Sequence, residues 1–310
     1  MKKIKVSSAA YSLTELSDIE SWKEKIKSWV FKASEEKSNL ILFPEYGGME
    51  LSSLLIENQR KDLINQHVFL KKYLTIFIEH FKSLAIEFKI IISAPSLPVF
   101  CELKQKVVNR TFCFSPGGNY DYQDKIFMTR FEDESWGVQS GGNKVKIFKT
   151  PHFSFCIMTC FDIEFPWPAI RASIAGAEIV LVPSCTETIK GANRVHIGAK
   201  ARALENQNYT VVSQTVLNAE WSEAVDKNFG FVGFYSTPDV GLPDDGVLYN
   251  SAAQIEGLYS FDLNISLINK VRNQGAVFNF KKNVEFLTEN ESKLGKSLGE
   301  DLSIEVINFI

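Results

Sequence analysis

Three short segments of this chain carry residue types able to act on an acyl carbon. The first, Leu-Ile-Leu-Phe-Pro-Glu-Tyr at positions 40–46, ends an apolar run with a carboxylate. Pro44 fixes its own backbone and biases Phe43 toward an extended conformation, so Glu45 stands rigidly at the C-terminal end of a strand. In isolation Glu45 also fits a loop acid that caps a helix or makes a surface ion pair. The second, Asp-Tyr-Gln-Asp-Lys-Ile-Phe at 121–127, places Lys125 among aromatics. A lysine there is simply solvated unless something negative forms beside it. The third, Phe-Cys-Ile-Met-Thr-Cys-Phe-Asp-Ile-Glu-Phe-Pro at 155–166, ends an apolar strand on Cys160. A strand-to-helix turn at that point exposes a thiol nucleophile and leaves backbone N–H groups free for an oxyanion. Cysteines in apolar strands are more often inert packing residues, and Cys156, mid-strand, fits that description.

The elements that must position these residues follow from apolar periodicity and turn residues. Lys3–Ser8, Asn39–Phe43, Lys89–Ala94 and Glu178–Pro183 read as strands, three of them continuous apolar runs suited to burial. Asp18–Glu36 and Lys61–Phe88 read as helices, the first with Ile19, Trp22, Ile26, Trp29 and Val30 on one face. Val107–Phe114, the turn Ser-Pro-Gly-Gly-Asn at 115–119 and Tyr120–Lys125 form a hairpin whose second arm delivers Lys125. Val145–Thr150 and Phe153–Thr159 pair around Pro151; Pro166–Ala175 and Arg194–Asn208 are helical; Tyr209–Leu217 is a strand. Phe229–Tyr235 and Gly246–Glu256 supply further strand material, separated by a turn-rich loop. Strands and helices interleave without a linker or repeat, which argues for one α/β domain over residues 1–280. The charged stretch Glu289–Asp301 sets off a tail, 281–310, that packs on the domain or on a partner subunit.

Composition narrows the classes further. The 310 residues are 45% hydrophobic and 23% charged, enough apolar material for a sizeable core. A formal net charge of -3 gives no support for a nucleic-acid or polybasic membrane surface. The N-terminal Met-Lys-Lys-Ile-Lys is not followed by an apolar signal core, and no run approaches a membrane span, so a cytoplasmic location is expected. Five cysteines, none in a C-x-x-C pair, read as free thiols and not as a zinc site or disulfide framework. There is no G-x-S-x-G, Rossmann or P-loop pattern. None of the four histidines sits in a nucleophile motif: His152 reads as a turn residue and His196 as a packing or surface residue.

The order Phe-Pro-Glu45, then Lys125, then Cys160-Phe-Asp-Ile-Glu-Phe-Pro resembles the nitrilase-like carbon–nitrogen hydrolases. Arg202-Ala-Leu-Glu-Asn-Gln207 and Val271-Arg-Asn-Gln-Gly-Ala-Val277 are similar to that family's downstream segments. Val182-Pro-Ser-Cys-Thr-Glu187 and the loop from Pro238 to Gly246 look closest to its amidohydrolase-like branch. The resemblance implies a four-layer αββα sandwich, a homodimer or higher homo-oligomer, and no cofactor or metal. It implies Glu45 as general base, Lys125 as stabiliser of the oxyanion and Cys160 as nucleophile of a thioester pathway, acting on a small amide. A second family glutamate precedes a glycine; Glu134, seven positions before Gly141, is the preferred match and Glu132 the rival. Phe161 and Trp167 depart from the Tyr and Glu common in relatives. Tyr46, Trp136, Phe161 and Trp221 are candidates to line the acyl pocket. A nitrilase, an acyltransferase or a catalytically silent binding protein of the same fold would carry the same residues.

Overall fold

The computed structural model describes residues 2–294 and 302–310. Its first half runs β1 (Lys3–Ser12), α1 (Ile19–Glu35), β2 (Leu40–Leu42), α2 (Glu57–Lys61), α3 (Gln66–Phe88), β3 (Ile91–Ser93), β4 (Leu97–Cys101), β5 (Lys106–Phe114) and β6 (Tyr120–Asp124). The second half runs β7 (Lys144–Lys149), β8 (Ser154–Ile157), α4 (Pro166–Ile174), β9 (Ile179–Ser184), α5 (Ile189–Asn206), β10 (Tyr209–Val216), β11 (Gly233–Tyr235) and β12 (Val247–Asn250). It closes with β13 (Gly257–Asn264), α6 (Ile265–Gln274), α7 (Asn279–Leu294) and β14 (Ser303–Asn308).

These strands form two sheets that, among the described residues, are joined in backbone pairing at the ends of β1 and β10, through the pairs Tyr11–Thr215 and Ser12–Val216. The first sheet has parallel β1, β2 and β3 at its centre, with β13 antiparallel on β1 and β5 carrying β4 and β6. The second has parallel β8, β9 and β10, flanked by β7 and β14 on one side and β11 and β12 on the other.

The apolar runs explain the layering. Along β2, Leu40 and Leu42 enter the core between the sheets, while Ile41 and Phe43 enter the core under α1 and α3. Along β9, Ile179 and Leu181 face the inter-sheet core, and Val180 and Val182 face a third core against α5. A strand with two buried faces must be apolar at every position, because successive side chains point to opposite faces. The result is the four-layer αββα sandwich. Asp18 starts α1 by accepting from the Ser21 N–H at 2.7 Å, and Trp22, Ile26, Trp29 and Val30 form its buried face.

Several expected boundaries move. Lys61–Phe88 is not one helix: α2 and α3 are separate, and between them the Asp62 carboxylate accepts from the Asn65 N–H and side-chain amide at 3.2 and 2.9 Å. Such local side-chain bonding competes with helix continuation. Phe229–Tyr235 contributes only its last three residues to a strand, since Phe229, Phe231 and Val232 instead donate to Thr186, Gln214 and Ser251. Gly246–Glu256 likewise narrows to β12, and β13 lies beyond any strand read from the sequence. In the tail, β14 pairs in parallel with β7, and Phe309 is buried against Phe148 and Phe155. Of the charged stretch Glu289–Asp301, residues 295–301 lie outside the described residues.

Candidate active site

Glu45 follows β2 by three residues. Phe43 extends the strand by donating to the Ser93 carbonyl, and Tyr46 then turns the chain in a left-handed conformation, φ 55°. Lys125 follows β6 directly. Its N–H donates to the Asn109 carbonyl on β5, and its own carbonyl accepts from Gly141 at 2.8 Å. A Cβ on Gly141 would stand 2.2 Å from the Asp124 Cβ, so only glycine lets this loop lie against the lysine segment. Cys160 ends the extension of β8 and begins a single helical turn, residues 160–164, with φ 49°. A left-handed non-glycine residue stores about 1–3 kcal/mol of strain. Asp162 holds that turn in place: its buried carboxylate accepts from the N–H groups of Thr159 (3.1 Å), Ile126 (3.1 Å) and Phe127 (2.8 Å). One side chain thereby ties the cysteine turn to the lysine loop. Burial pushes its acid up to about 7, against the pull of Lys125 and those N–H donors.

The three segments converge on one cavity of about 230 Å³. Lys125 Nζ lies 2.8 Å from Glu45 Oε1 and 2.7 Å from Glu132 Oε2, with all three side chains buried. Asn109 on β5 donates its amide to Glu45 Oε1 at 2.9 Å, and the Cys185 N–H donates to Glu45 Oε2 at the same distance. The Cys160 thiol completes the cluster beside Glu45 and donates to the Cys185 carbonyl at 3.8 Å.

The two glutamates are held differently. Glu132 accepts from Tyr46 Oη at 2.6 Å, from both the N–H and the hydroxyl of Thr129 at 2.8 Å, and from Lys125. Burial pushes its acid up, but Lys125 and these donors outweigh it and leave Glu132 below the usual carboxylate range. Glu45 moves the other way. Burial and the Glu132 charge raise it more than Lys125 lowers it. Burial would lower Lys125, yet Glu132 and Glu45 hold its ammonium well above normal. Burial and Glu45 raise the Cys160 thiol well above its ordinary value. The arrangement therefore holds one acid below its usual range, a lysine above its usual range, and a second acid and a thiol both raised beside them.

The structure corrects the choice of second glutamate. Glu134 is exposed and paired with Arg130 at 2.6 Å; Glu132 is the acid on Lys125. Residues 132–136 form a π-helical turn, and its first residue, not its third, faces inward. The sequence did carry a usable signal. Thr129-Arg-Phe-Glu132 has capping-box spacing, and Glu132 reaches back to the Thr129 N–H as that motif requires. Tyr46, Trp136 and Phe161 all line the cavity. Tyr46 also packs at a 39° tilt against Trp136, with ring centroids 4.5 Å apart, and its hydroxyl is committed to Glu132. Trp221 is not among the lining residues and packs instead against the core under α1 and α3. Cys156 is buried in β8, where burial alone raises its thiol. Asn109 carries no local motif and escapes sequence reading, and Ser184 and Cys185 fall in the segment Val182–Glu187, whose family resemblance gave them no role at the site. Among the described residues, no cluster of His, Cys, Asp and Glu is arranged to hold a metal ion, and no helix is long and apolar enough to cross a membrane.

Comparison with known proteins places this geometry in context. Residues 6–253 match the family model described as carbon–nitrogen hydrolase. A Bacillus subtilis protein described as the probable hydrolase YhcX is 30% identical over 278 residues, covering 90% of this chain and 53% of that protein. The chain thus spans about half the length of that curated relative. The solved carbon–nitrogen hydrolase of Helicobacter pylori superposes with a TM-score of 0.74 at 15% identity, covering 97% of this chain and 99% of that one. An amidase from Nesterenkonia, carrying the acetamide moiety of fluoroacetamide covalently added at its active-site cysteine, gives 0.65 at 16% identity, covering 93% and 96%. At these identities the solved structures speak to the fold.

Proposed function

The chain belongs to the carbon–nitrogen hydrolase family, and on that premise we propose that it hydrolyses a small non-peptide amide to an acid and ammonia or an amine. The observation that carries this reading is the meeting of Glu45, Lys125 and Cys160 on one cavity, from segments 35 to 115 residues apart. Glu45 takes the thiol proton, and the Cys160 sulfur attacks the amide carbon. Lys125 Nζ, fixed between two carboxylates, meets the oxyanion, with the Phe161 N–H at the start of the 160–164 turn as second donor. Glu45 returns its proton to the departing nitrogen, the C–N bond breaks, and an acyl thioester remains on Cys160. Glu45 then removes a proton from water, which attacks the thioester; the C–S bond breaks and the thiol regains its proton. Glu132 takes no proton in this cycle and keeps Lys125 charged and in place. The amidase from Nesterenkonia with its adduct on an active-site cysteine supports the same role for Cys160.

The test is a panel of aliphatic, aromatic and carbamoyl amides, with nitriles and amine acceptors alongside, assayed on the wild-type chain and on Cys160→Ala. Amide-dependent ammonia or amine release by the wild type, absent in the variant, is expected. Release from nitriles alone, or full activity in C160A, overturns the proposal.

A further inference from the structure

Behind the Cys160 sulfur, on the side that does not line the cavity, lies a buried polar chain that the mechanism above does not use. Ser184 Oγ at the end of β9 is 3.4 Å from Cys160 Sγ. Gln214, its register partner on β10, places Nε2 3.3 Å from Ser184 Oγ. Gln214 Oε1 is 3.0 Å from His196 Nε2 on α5, and His196 Nδ1 is 2.6 Å from Tyr235 Oη. The Asn250 side-chain amide, 2.8 Å from that hydroxyl, ends the chain at an exposed residue. Ser184, Gln214 and His196 are all buried.

One backbone group sets the direction of these bonds. The Phe231 N–H donates to Gln214 Oε1 at 3.0 Å, and a backbone N–H can only donate. That fixes which end of the amide is oxygen. The oxygen then accepts from His196 Nε2, which must carry its proton, so Nδ1 of the neutral ring is left to accept the single hydroxyl proton of Tyr235, and the Asn250 amide then turns its nitrogen, not its oxygen, to the Tyr235 hydroxyl. The imidazole stays neutral because burial, aided by Lys200, lowers it to about 4 against the pull of Gln214 and Phe231. The ring lies flat on Phe231, centroids 3.7 Å apart and 6° from parallel, which holds its orientation. At the other end, Gln214 Nε2 donates to Ser184, so the hydroxyl proton of Ser184 is free to point at sulfur.

We propose that Ser184 is a further catalytic residue, whose hydroxyl stabilises the Cys160 thiolate, and that Gln214 and His196 are positioning residues that aim it. The chain Tyr235, His196, Gln214, Ser184 runs donor to acceptor toward the sulfur. Aligned bonds of this kind polarise one another in a buried setting. Glu45, Lys125 and Glu132 act on the same sulfur from the cavity side; Ser184 supplies a neutral donor from behind.

The proposal rests on Cys160 being the nucleophile, so its test reads the thiol directly. Alkylation of wild type, Ser184→Ala and Gln214→Met by iodoacetamide is followed against pH, with peptide mapping to separate Cys160 from Cys185. In S184A, the Cys160 rate at pH 7 is expected to fall ~10-fold and its midpoint to rise by about one pH unit, the size of one hydrogen bond to a charged acceptor. Q214M, with Ser184 intact but unaimed, is expected to move the midpoint the same way by less. Melting curves show whether each variant is folded, and either variant alone decides the matter. A folded S184A or Q214M with the wild-type rate and midpoint overturns the chain. That outcome leaves the amidase reading standing, whereas full amide turnover by C160A removes the amidase reading itself.

Discussion

Replacing Glu132 by glutamine is the sharpest probe of how the buried cluster is tuned. Glu45 and Glu132 share the ammonium of Lys125 at 2.8 and 2.7 Å, so their carboxylates face each other across one nitrogen. Two such charges about 5 Å apart, at an effective dielectric near 20, repel by ~3 kcal/mol, equivalent to ~2 pH units. Glu45 works as a base in its ionised form, so activity rises with pH as it loses its proton. With its acid raised by burial and by Glu132, that rise in wild-type kcat/KM lies above the usual carboxylate range. Glu132→Gln removes the repelling charge and lets Glu45 ionise more easily. The acid limb of kcat/KM is expected to move down by about 1–2 pH units. The glutamine can also present only one oxygen where Glu132 uses two, toward Lys125 and Thr129 on one side and Tyr46 on the other. Lys125 then loses its fixed position, and kcat is expected to fall ~100-fold, as when a preorganised oxyanion donor is disturbed. The assay is ammonia release from the best amide of the panel across pH 4–9, with melting curves on the same samples. Glu134→Gln, which removes only an exposed partner of Arg130, is the control and is expected to leave both limb and kcat unchanged. An E132Q limb that stays in place or moves up, or an E134Q limb that moves as far, refutes the reasoning.

Three further outcomes follow from particular contacts. Iodoacetamide is expected to label Cys160 in the folded wild type far faster than Cys156, and Cys156→Ala to keep full amide turnover, because Cys156 is sealed inside β8; mass mapping and turnover check both. Asp162→Asn must turn an amide N–H toward the N–H groups of Thr159, Ile126 or Phe127, leaving a buried donor unpaired; denaturant unfolding is expected to show a loss of ~1–3 kcal/mol, with amide turnover falling as the two loops part. Phe309→Ala empties the space beside Phe148 and Phe155 and is expected to cost ~3–5 kcal/mol in the same measurement, while the cluster around Cys160 keeps its alkylation profile.

Much of this protein is readable locally. The apolar period of β2 and β9 states that both faces are buried, and Pro44 and the 155–166 segment state where two strands stop and present a polar group. The order of Glu45, Lys125 and Cys160 with their flanks is enough to select the family and its four-layer fold. Such features depend on a few neighbouring residues and on backbone geometry, which sequence patterns encode directly. The split of Lys61–Phe88 was less legible because the Asp62–Asn65 bonds that interrupt it compete only slightly with an otherwise helical pattern.

What the tertiary structure decided is which side chains meet. Glu132 and Glu134 are two positions apart with similar flanks, and only the π-helical turn tells which one faces Lys125. Asn109 reaches Glu45 across 64 positions of chain because β5, separated from β2 by the short β3, runs on past the end of β3. The direction of the Ser184–Gln214–His196 chain is set by one N–H at Phe231, a residue that joins no strand. A carboxylate, an amide or a hydroxyl has its chemistry set by the donors and charges within about 3 Å of it. Those neighbours are chosen by how two sheets pack, and no local pattern in the chain records that choice.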